Sequence, residues 1–170
     1  MIPESTIPAG TIRGLHHNAY RCRDSEETRR FYEDFLGLPL ADAFEIRESK
    51  TGRETRVLHS FYRLGDNSYL AFFEVPGSPF DFKAQHDYDL HIALEVALDA
   101  LQPLMDKGRA AGLEVRGIAD HGFIRSIYFR DPNGYVIELT ARGEAAAAYA
   151  VEAERKAHDN LARWQETKPR

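Results

Sequence analysis

Hydrophobic and polar residues follow one order of patterns twice along the chain. The segment LHHNAY around His17 recurs as DLHIAL around His91. With one further residue of shift, the Gly-Leu pair at 37–38 aligns with the pair at 112–113. Each half therefore predicts a short strand that carries a histidine, followed by a helix that ends at a glycine.

Helical spacing predicts one helix in each half and a longer helix at the end of the chain. Asp24 stands three residues before Glu27, the spacing of a capping box, and an aromatic stripe then continues to Gly37. In the second half we expect Asp99 to open the helix. Residues 144–166 contain neither glycine nor proline and predict an amphipathic helix that packs on its own domain or on a partner subunit. An active-site lid is the alternative for this helix.

Apolar and β-branched runs, separated by turn signals, predict the remaining strands. The charged stretch 45–55 is expected to be a loop or the exposed end of a hairpin. Each half then follows the order β-α-β-β-β, and the first half is the less complete. The predicted strands cover residues 55–64, 68–75, 112–118, 123–129 and 135–140.

Composition narrows the class of protein. The chain has 170 residues, of which 43% are hydrophobic and 29% charged, as in an ordinary globular domain. Its net charge of -5 argues against nucleic acid or an anionic membrane as partner, because both favour a basic surface. We find neither an apolar run of membrane-spanning length nor a secretory signal. Since Cys22 is the only cysteine, no internal disulfide can form, and we expect a cytoplasmic protein.

Three ionisable residues interrupt otherwise regular strand patterns. His91 and Glu138 each stand on the strand face opposite a row of aliphatic residues. The repeat makes His17 the counterpart of His91 in the first half. Two imidazoles and one carboxylate can occupy one face of an octahedral metal ion and leave the other open for substrate. Taken alone, each could also be a structural histidine or a surface carboxylate, but together they predict a metal site.

The segments HHNAYRCRD, HIALEV and DPNGYVIEL resemble the vicinal oxygen chelate superfamily, which includes glyoxalase I, methylmalonyl-CoA epimerase, fosfomycin-resistance proteins and extradiol ring-cleavage dioxygenases. The resemblance implies an α+β fold of two βαβββ modules that form a partly closed, barrel-like cup around one metal. It implies His17, His91 and Glu138 as the metal ligands, and a homodimer. The implied organisation is an N-terminal tail at 1–11, one domain at 12–142 with modules at 12–77 and 88–142, and a C-terminal helix within 143–170.

Within this superfamily, the segment HGFIRSIYFRDPNGYVIE at 121–138 is similar to the extradiol dioxygenase signature. His121 and Tyr128 are the discriminating residues of that signature. The resemblance implies an Fe(II)-dependent enzyme that cleaves a catechol-type aromatic diol with dioxygen, with Mn, Zn or Ni as alternative metals. Tyr128 would hydrogen-bond the substrate oxygen, and His121 would manage a proton.

One departure from the extradiol pattern concerns the base that faces the catechol. Larger extradiol enzymes carry a histidine just before the strand that corresponds to 70–73. Here that place falls on Asn67 and Ser68, and neither is a useful base near neutral pH. His59 or His86 would have to supply the group from elsewhere.

Two other functions remain open. A glyoxalase-type lyase, isomerase or epimerase usually takes a fourth ligand, Glu or Gln, from the last strand of the first half. Residues 71–73 occupy that place and none can bind a metal, while Glu74 would need a shifted register. A metal-free binding protein of the same fold is the non-enzyme alternative, and the metal triad argues against it.

Overall fold

The chain divides into two units, Met1–Phe82 and Lys83–Arg170, each built on a four-stranded mixed sheet. The computed structural model describes residues 8, 10–48, 51–78, 80, 82, 86, 88 and 90–169. Most of the N-terminal tail expected at 1–11 lies outside the described residues.

The sheet of the first unit has the strand order β1-β4-β3-β2. Strand β1 runs parallel to β4, and the other pairs are antiparallel. The charged stretch 45–55, expected to be a loop or the end of a hairpin, includes the last residues of β2 and the first residues of β3, which pair in an antiparallel hairpin. The strands are β1 His17–Cys22, β2 Leu40–Glu48, β3 Glu54–Arg63 and β4 Tyr69–Glu74.

One helical segment connects β1 to β2. It begins as α1, Ser25–Arg29, and continues as a π-helical turn, Arg30–Phe35. The predicted cap is confirmed, because the Asp24 carboxylate accepts the backbone N–H of Glu27 at 2.8 Å. The helix places Tyr32 against Phe72 with ring centroids 4.8 Å apart, and the Tyr32 side chain is fully buried. It therefore covers one face of the sheet and leaves the face that bears His17 uncovered by this helix.

The sheet of the second unit repeats this topology as β5-β8-β7-β6, again with the first strand parallel to the last. Its helix begins with a 3-10 turn, Leu98–Ala100, and continues as α2, Leu101–Ala110. The helical segment thus begins at Leu98, one residue before the predicted Asp99, which lies in the first turn, and Ala97 precedes this turn without a side-chain cap. The strands are β5 His91–Glu95, β6 Val115–Asp120, β7 Ile124–Arg130 and β8 Val136–Arg142.

Strand alternation in the second unit is as predicted. Ile92 and Ile137 are buried on the side of the sheet that α2 covers with Leu101 and Met105. The helix lies so close to the sheet that a Cβ on Gly108 would stand 2.4 Å from the buried Phe129 ring. His91 consequently projects from the opposite face.

The C-terminal helix is confirmed as α3, Ala146–Thr167, and none of its residues is buried. Together with the two βαβββ units it confirms the predicted α+β fold. The cup around one metal and the single domain at 12–142 stay predictions. In the part of the chain that is described, no helix is long and apolar enough to cross a membrane.

Candidate metal-binding site

His91 and Glu138 lie side by side on neighbouring strands of the second unit. Ala93 pairs with Glu138 in the β5–β8 register, so that His91 and Glu138 project from the same face of the sheet. The His91 Nε2 atom is 3.4 Å from Glu138 Oε2. His91 is exposed, whereas Glu138 is only 7% exposed. The structure thus brings together two of the three predicted metal ligands.

The surroundings of Glu138 fit a divalent metal. Among the described residues, the charged-group contact of Glu138 is with the His91 ring, and it forms no ion pair with a lysine or arginine. A buried carboxylate is costly unless a cation or hydrogen-bond donors compensate its charge. Imidazole nitrogen and carboxylate oxygen are a donor set that Fe, Mn, Zn and Ni accept. Within the described ranges no group of three His, Cys, Asp or Glu side chains is close enough to hold a metal, and His17 belongs to the first unit.

Tyr128 and His121 continue this pair into a chain of polar groups. The Tyr128 O–H donates to Glu138 Oε1 at 3.2 Å, because the two residues are direct partners in the β7–β8 register. The His121 Nε2 atom stands 3.4 Å from the Tyr128 oxygen. Since that oxygen already donates its hydrogen, the contact is a hydrogen bond when His121 donates from Nε2. Of the two residues predicted as catalytic, Tyr128 therefore contacts Glu138 directly and His121 is connected to it through Tyr128.

His121 belongs to the tight turn between β6 and β7, which Asp120 holds in place. The Asp120 carboxylate accepts the Gly122 backbone N–H at 2.8 Å and the Arg125 Nε–H at 3.0 Å. These two donors, the backbone N–H first, lower the pKa of Asp120 below its ordinary value. Asp120 is consequently ionised at neutral pH and fixes the turn that carries His121.

In the first unit His17 is exposed at the start of β1, and its Nδ1 atom is 2.7 Å from Nδ1 of His16. The β1–β4 register shows what replaces Glu138 in this unit. Ala19 pairs with Ala71 as Ala93 pairs with Glu138 in the second unit. The position of the fourth ligand in a glyoxalase-type site is therefore occupied by the fully buried Ala71, which cannot bind a metal.

Glu74 has a structural role instead. Its carboxylate accepts the Ser25 backbone N–H at 2.8 Å, at the beginning of α1. Glu74 follows Ala71 by three positions, so the two side chains lie on opposite faces of the strand. Glu74 thus stabilises the N-terminal end of α1, on the face of the first sheet that this helix covers.

The residues at the expected position of the base are also engaged locally. Asn67 occupies a left-handed turn conformation with φ of 66°, and the Ser68 hydroxyl donates to the Asp66 carboxylate at 2.6 Å. Of the substitutes, exposed His86 accepts the Tyr88 backbone N–H at 3.2 Å. Asn67 and Ser68 carry an amide and a hydroxyl, and neither group is a useful base near neutral pH.

His59, the other substitute, is buried on the face of the first sheet that bears His17. Its ring stacks on Phe73 with centroids 3.7 Å apart and lies 6.3 Å from the His17 ring. Nδ1 is 3.0 Å from the Phe72 carbonyl oxygen, which can only accept. Nδ1 therefore carries the hydrogen, and Nε2 is the acceptor of the neutral ring.

A model of the Glyoxalase/Bleomycin resistance protein/Dioxygenase superfamily matches residues 14–139. This chain belongs to that superfamily. The resemblance to vicinal oxygen chelate proteins is thereby confirmed.

Similar proteins in the superfamily have different activities. A probable lactoylglutathione lyase of Vibrio parahaemolyticus serotype O3:K6 is 26% identical over 137 residues, which cover 77% of this chain and 92% of that protein. A glyoxalase/dioxygenase structure from Nostoc punctiforme has a TM-score of 0.63 at 22% identity and covers 84% of this chain and 100% of that one. The fosfomycin resistance protein FosX of Listeria monocytogenes, solved with Mn(II) and sulfate ion, has a TM-score of 0.59 at 20% identity, with 81% and 98% covered. These structural similarities show the fold alone.

Proposed function

We propose that this superfamily member is an iron(II)-dependent extradiol dioxygenase that opens the ring of a catechol-type aromatic diol. The observation that carries the proposal is the chain of contacts from His121 through Tyr128 to Glu138. It sets two proton-bearing groups beside the buried carboxylate of the candidate metal site. An extradiol reaction needs such groups to bind the substrate oxygen and to move a proton.

The proposed ligands are His91, Glu138 and His17, the last from the repeat and the family resemblance. Iron(II) is the proposed metal, and Mn, Zn and Ni are the alternatives. A metal held by these ligands supplies positions for the catechol oxygens and dioxygen and lowers the pKa of the phenols. The second sheet contributes the two ligands that the structure brings within 3.4 Å of each other.

Three side chains perform the remaining steps in this proposal, and His59 is the one that takes the proton of the catechol, at its acceptor atom Nε2. Tyr128 turns its O–H from Glu138 to the bound catechol oxygen and orients the ring. His121 holds a proton at Nε2 and delivers it to the ring-opened product. The half-buried position of Tyr128 and the exposed position of His121 suit these roles, because the histidine must exchange its proton with solvent between turnovers.

The second candidate function is a glyoxalase-type lyase, and the similarity to the Vibrio protein favours it. Lyases of this type usually bind the metal with a fourth carboxylate or amide from the first module. The β1–β4 register gives that position to Ala71. A site with three protein ligands keeps more positions open, as oxygen chemistry requires.

Oxygen uptake tests the proposal. The protein is purified without air, loaded with iron(II) and mixed with catechol and with biaryl and carboxylated catechols. We expect oxygen consumption together with a yellow ring-opened product, and loss of both in Glu138→Ala. Glu95→Gln is the matched control, because Glu95 lies on the same face of β5 but is exposed and paired with Arg142.

A parallel assay with the hemithioacetal of methylglyoxal and glutathione separates the two functions. Turnover of the hemithioacetal without oxygen uptake on any catechol would overturn the dioxygenase proposal in favour of the lyase. Bound metal without either reaction would overturn both. A homodimer and a cytoplasmic location stay predictions from the sequence.

A further inference from the structure

The C-terminal helix α3 touches the turn that carries His121 at one well-defined point. The rings of Tyr149 and Phe123 are stacked with centroids 3.6 Å apart and an angle of 4° between their planes. Tyr149 lies in the first turn of α3, and no other ring contact of this helix occurs among the described residues. Phe123 follows His121 by two residues.

A second contact joins the same two segments. The Gly143 backbone N–H, just before α3, donates to the Phe123 carbonyl oxygen at 2.8 Å. A Cβ on Gly143 would stand 3.3 Å from that oxygen, so the glycine allows the close approach. Phe123 is thus held at its ring by Tyr149 and at its carbonyl by the segment that leads into the helix.

The turn that carries His121 contains features that contacts from outside the turn would stabilise. Gly122 has φ of +84°, a conformation that glycine adopts freely but does not itself stabilise. His121 is exposed, and its 3.4 Å contact with the Tyr128 oxygen is long for a hydrogen bond. Small movements of the turn would therefore separate the two groups.

We propose that Tyr149 is a positioning residue, whose ring packs on Phe123 and thereby keeps His121 next to Tyr128. The proposal rests on the proposed function only in assigning a proton to His121. The superfamily match ends at residue 139, so α3 lies outside it, and this contact gives the helix a role toward the site. Tyr149 acts through Phe123 and not on the substrate.

Nuclear magnetic resonance of the metal-free protein tests the positioning directly. In Tyr149→Ala we expect the nuclear Overhauser effect between the His121 and Tyr128 rings to fall by at least about half. The backbone order parameter of Gly122 should fall from about 0.85 toward 0.6. Tyr149→Phe keeps the stacked ring and should restore both values. Trp164→Ala, on the exposed far end of the same helix, should leave both unchanged.

Kinetics of the iron-loaded enzyme supply the second readout. Loss of one aromatic stack should lower kcat in Tyr149→Ala about threefold to tenfold without changing KM, and Tyr149→Phe should recover it. An unchanged ring contact and order parameter in Tyr149→Ala would overturn the positioning role. A changed ring contact in a protein that consumes no oxygen with any catechol would support the positioning role and overturn the dioxygenase function instead.

Discussion

The two sheets share one topology, yet corresponding positions on the faces opposite their helices carry different chemistry. Pairing Ala19 with Ala71 and Ala93 with Glu138 aligns the sheets residue by residue. The counterpart of Tyr128 is Phe61, since the two residues face Glu138 and Ala71 in the antiparallel registers. On the face opposite its helix, the second sheet thus carries polar groups, while the first sheet carries an aromatic surface around His17.

This difference explains why the fold alone does not decide the reaction. In the first unit Phe61, Phe73 and His59 are in ring contact with one another or with His17. In the second unit the corresponding positions bear the phenol of Tyr128 and the hydroxyl pair of Ser126 and Thr140, and the candidate ligand Glu138 stands at the position of Ala71. The two copies of the module therefore carry different side-chain chemistry on the same strand topology.

The largest effect that would test this comparison concerns Tyr128 and Phe61, which differ by one hydroxyl group. Tyr128→Phe removes the O–H that donates to Glu138 and should lower kcat with a catechol about 1000-fold. Phe61→Tyr adds a hydroxyl at the corresponding position, where no carboxylate faces it, and should change kcat less than about threefold. Stopped-flow absorbance of the ring-opened product measures both variants.

Two controls accompany this pair of variants. The thermal midpoint of each variant should stay close to that of the natural protein, because the half-buried rings are retained. Equal losses of kcat in the two variants would mean that both faces contribute alike, contrary to the comparison.

The sequence predicted those strands and helices whose apolar and polar residues follow a regular period. It did not predict the elements that lack such a period. The predicted cap at Asp24 is confirmed, because the spacing from Asp24 to Glu27 is that of a capping box. The predicted face of His91 is confirmed, because apolar residues alternate with it along β5. Strand β2 was not predicted, because eight of its nine residues are exposed and its sequence shows no regular alternation of apolar and polar residues. The second helix begins one residue before the predicted Asp99, because a 3-10 turn at Leu98–Ala100 precedes α2.

The residues of the candidate site could be proposed from the sequence, but the contacts between them could not. The resemblance of residues 121–138 to the extradiol signature indicated Tyr128 and His121, yet only the β7–β8 register places Tyr128 opposite Glu138. From the sequence, the position of the fourth ligand could be narrowed only to residues 71–73. The structure places it at Ala71, because the register depends on strand pairing, which the sequence of a single strand does not reveal. The stack of Tyr149 on Phe123 left no local pattern at all.

A smaller effect tests whether the aromatic face is entirely passive. His59→Phe removes an acceptor at Nε2 and the donor to the Phe72 carbonyl, and should lower kcat about 100-fold, at the low end for loss of a proton-transfer group. Phe73→Leu removes the ring stacked on His59 but keeps the imidazole, and should cost less than about tenfold. Steady-state oxygen uptake distinguishes them. Similar values for both variants would assign His59 to the apolar surface only.

The smallest effect concerns acid and compares two turns. Asp120 holds the His121 turn, and Asp66 holds the turn before β4, where it accepts the Ser68 hydroxyl and N–H. These hydrogen bonds lower the pKa of both carboxyl groups in the folded state. Their contribution to stability is therefore present above the unfolded pKa of about 3.9 and is lost as pH falls through the lower folded value.

Carbon-13 titration of the carboxyl groups should give midpoints below 3.9 for both residues. Protonation of Asp120 should weaken the ring contact between His121 and Tyr128, because the Gly122 N–H and Arg125 lose their charged acceptor. Asp120→Asn should show this weakening already at neutral pH, whereas Asp66→Asn should leave the ring contact as it is. If both variants left it unchanged, Tyr149 and Gly143 alone would hold the His121 turn. The ionised carboxylate would then contribute to local stability but not to the arrangement of the proposed catalytic groups.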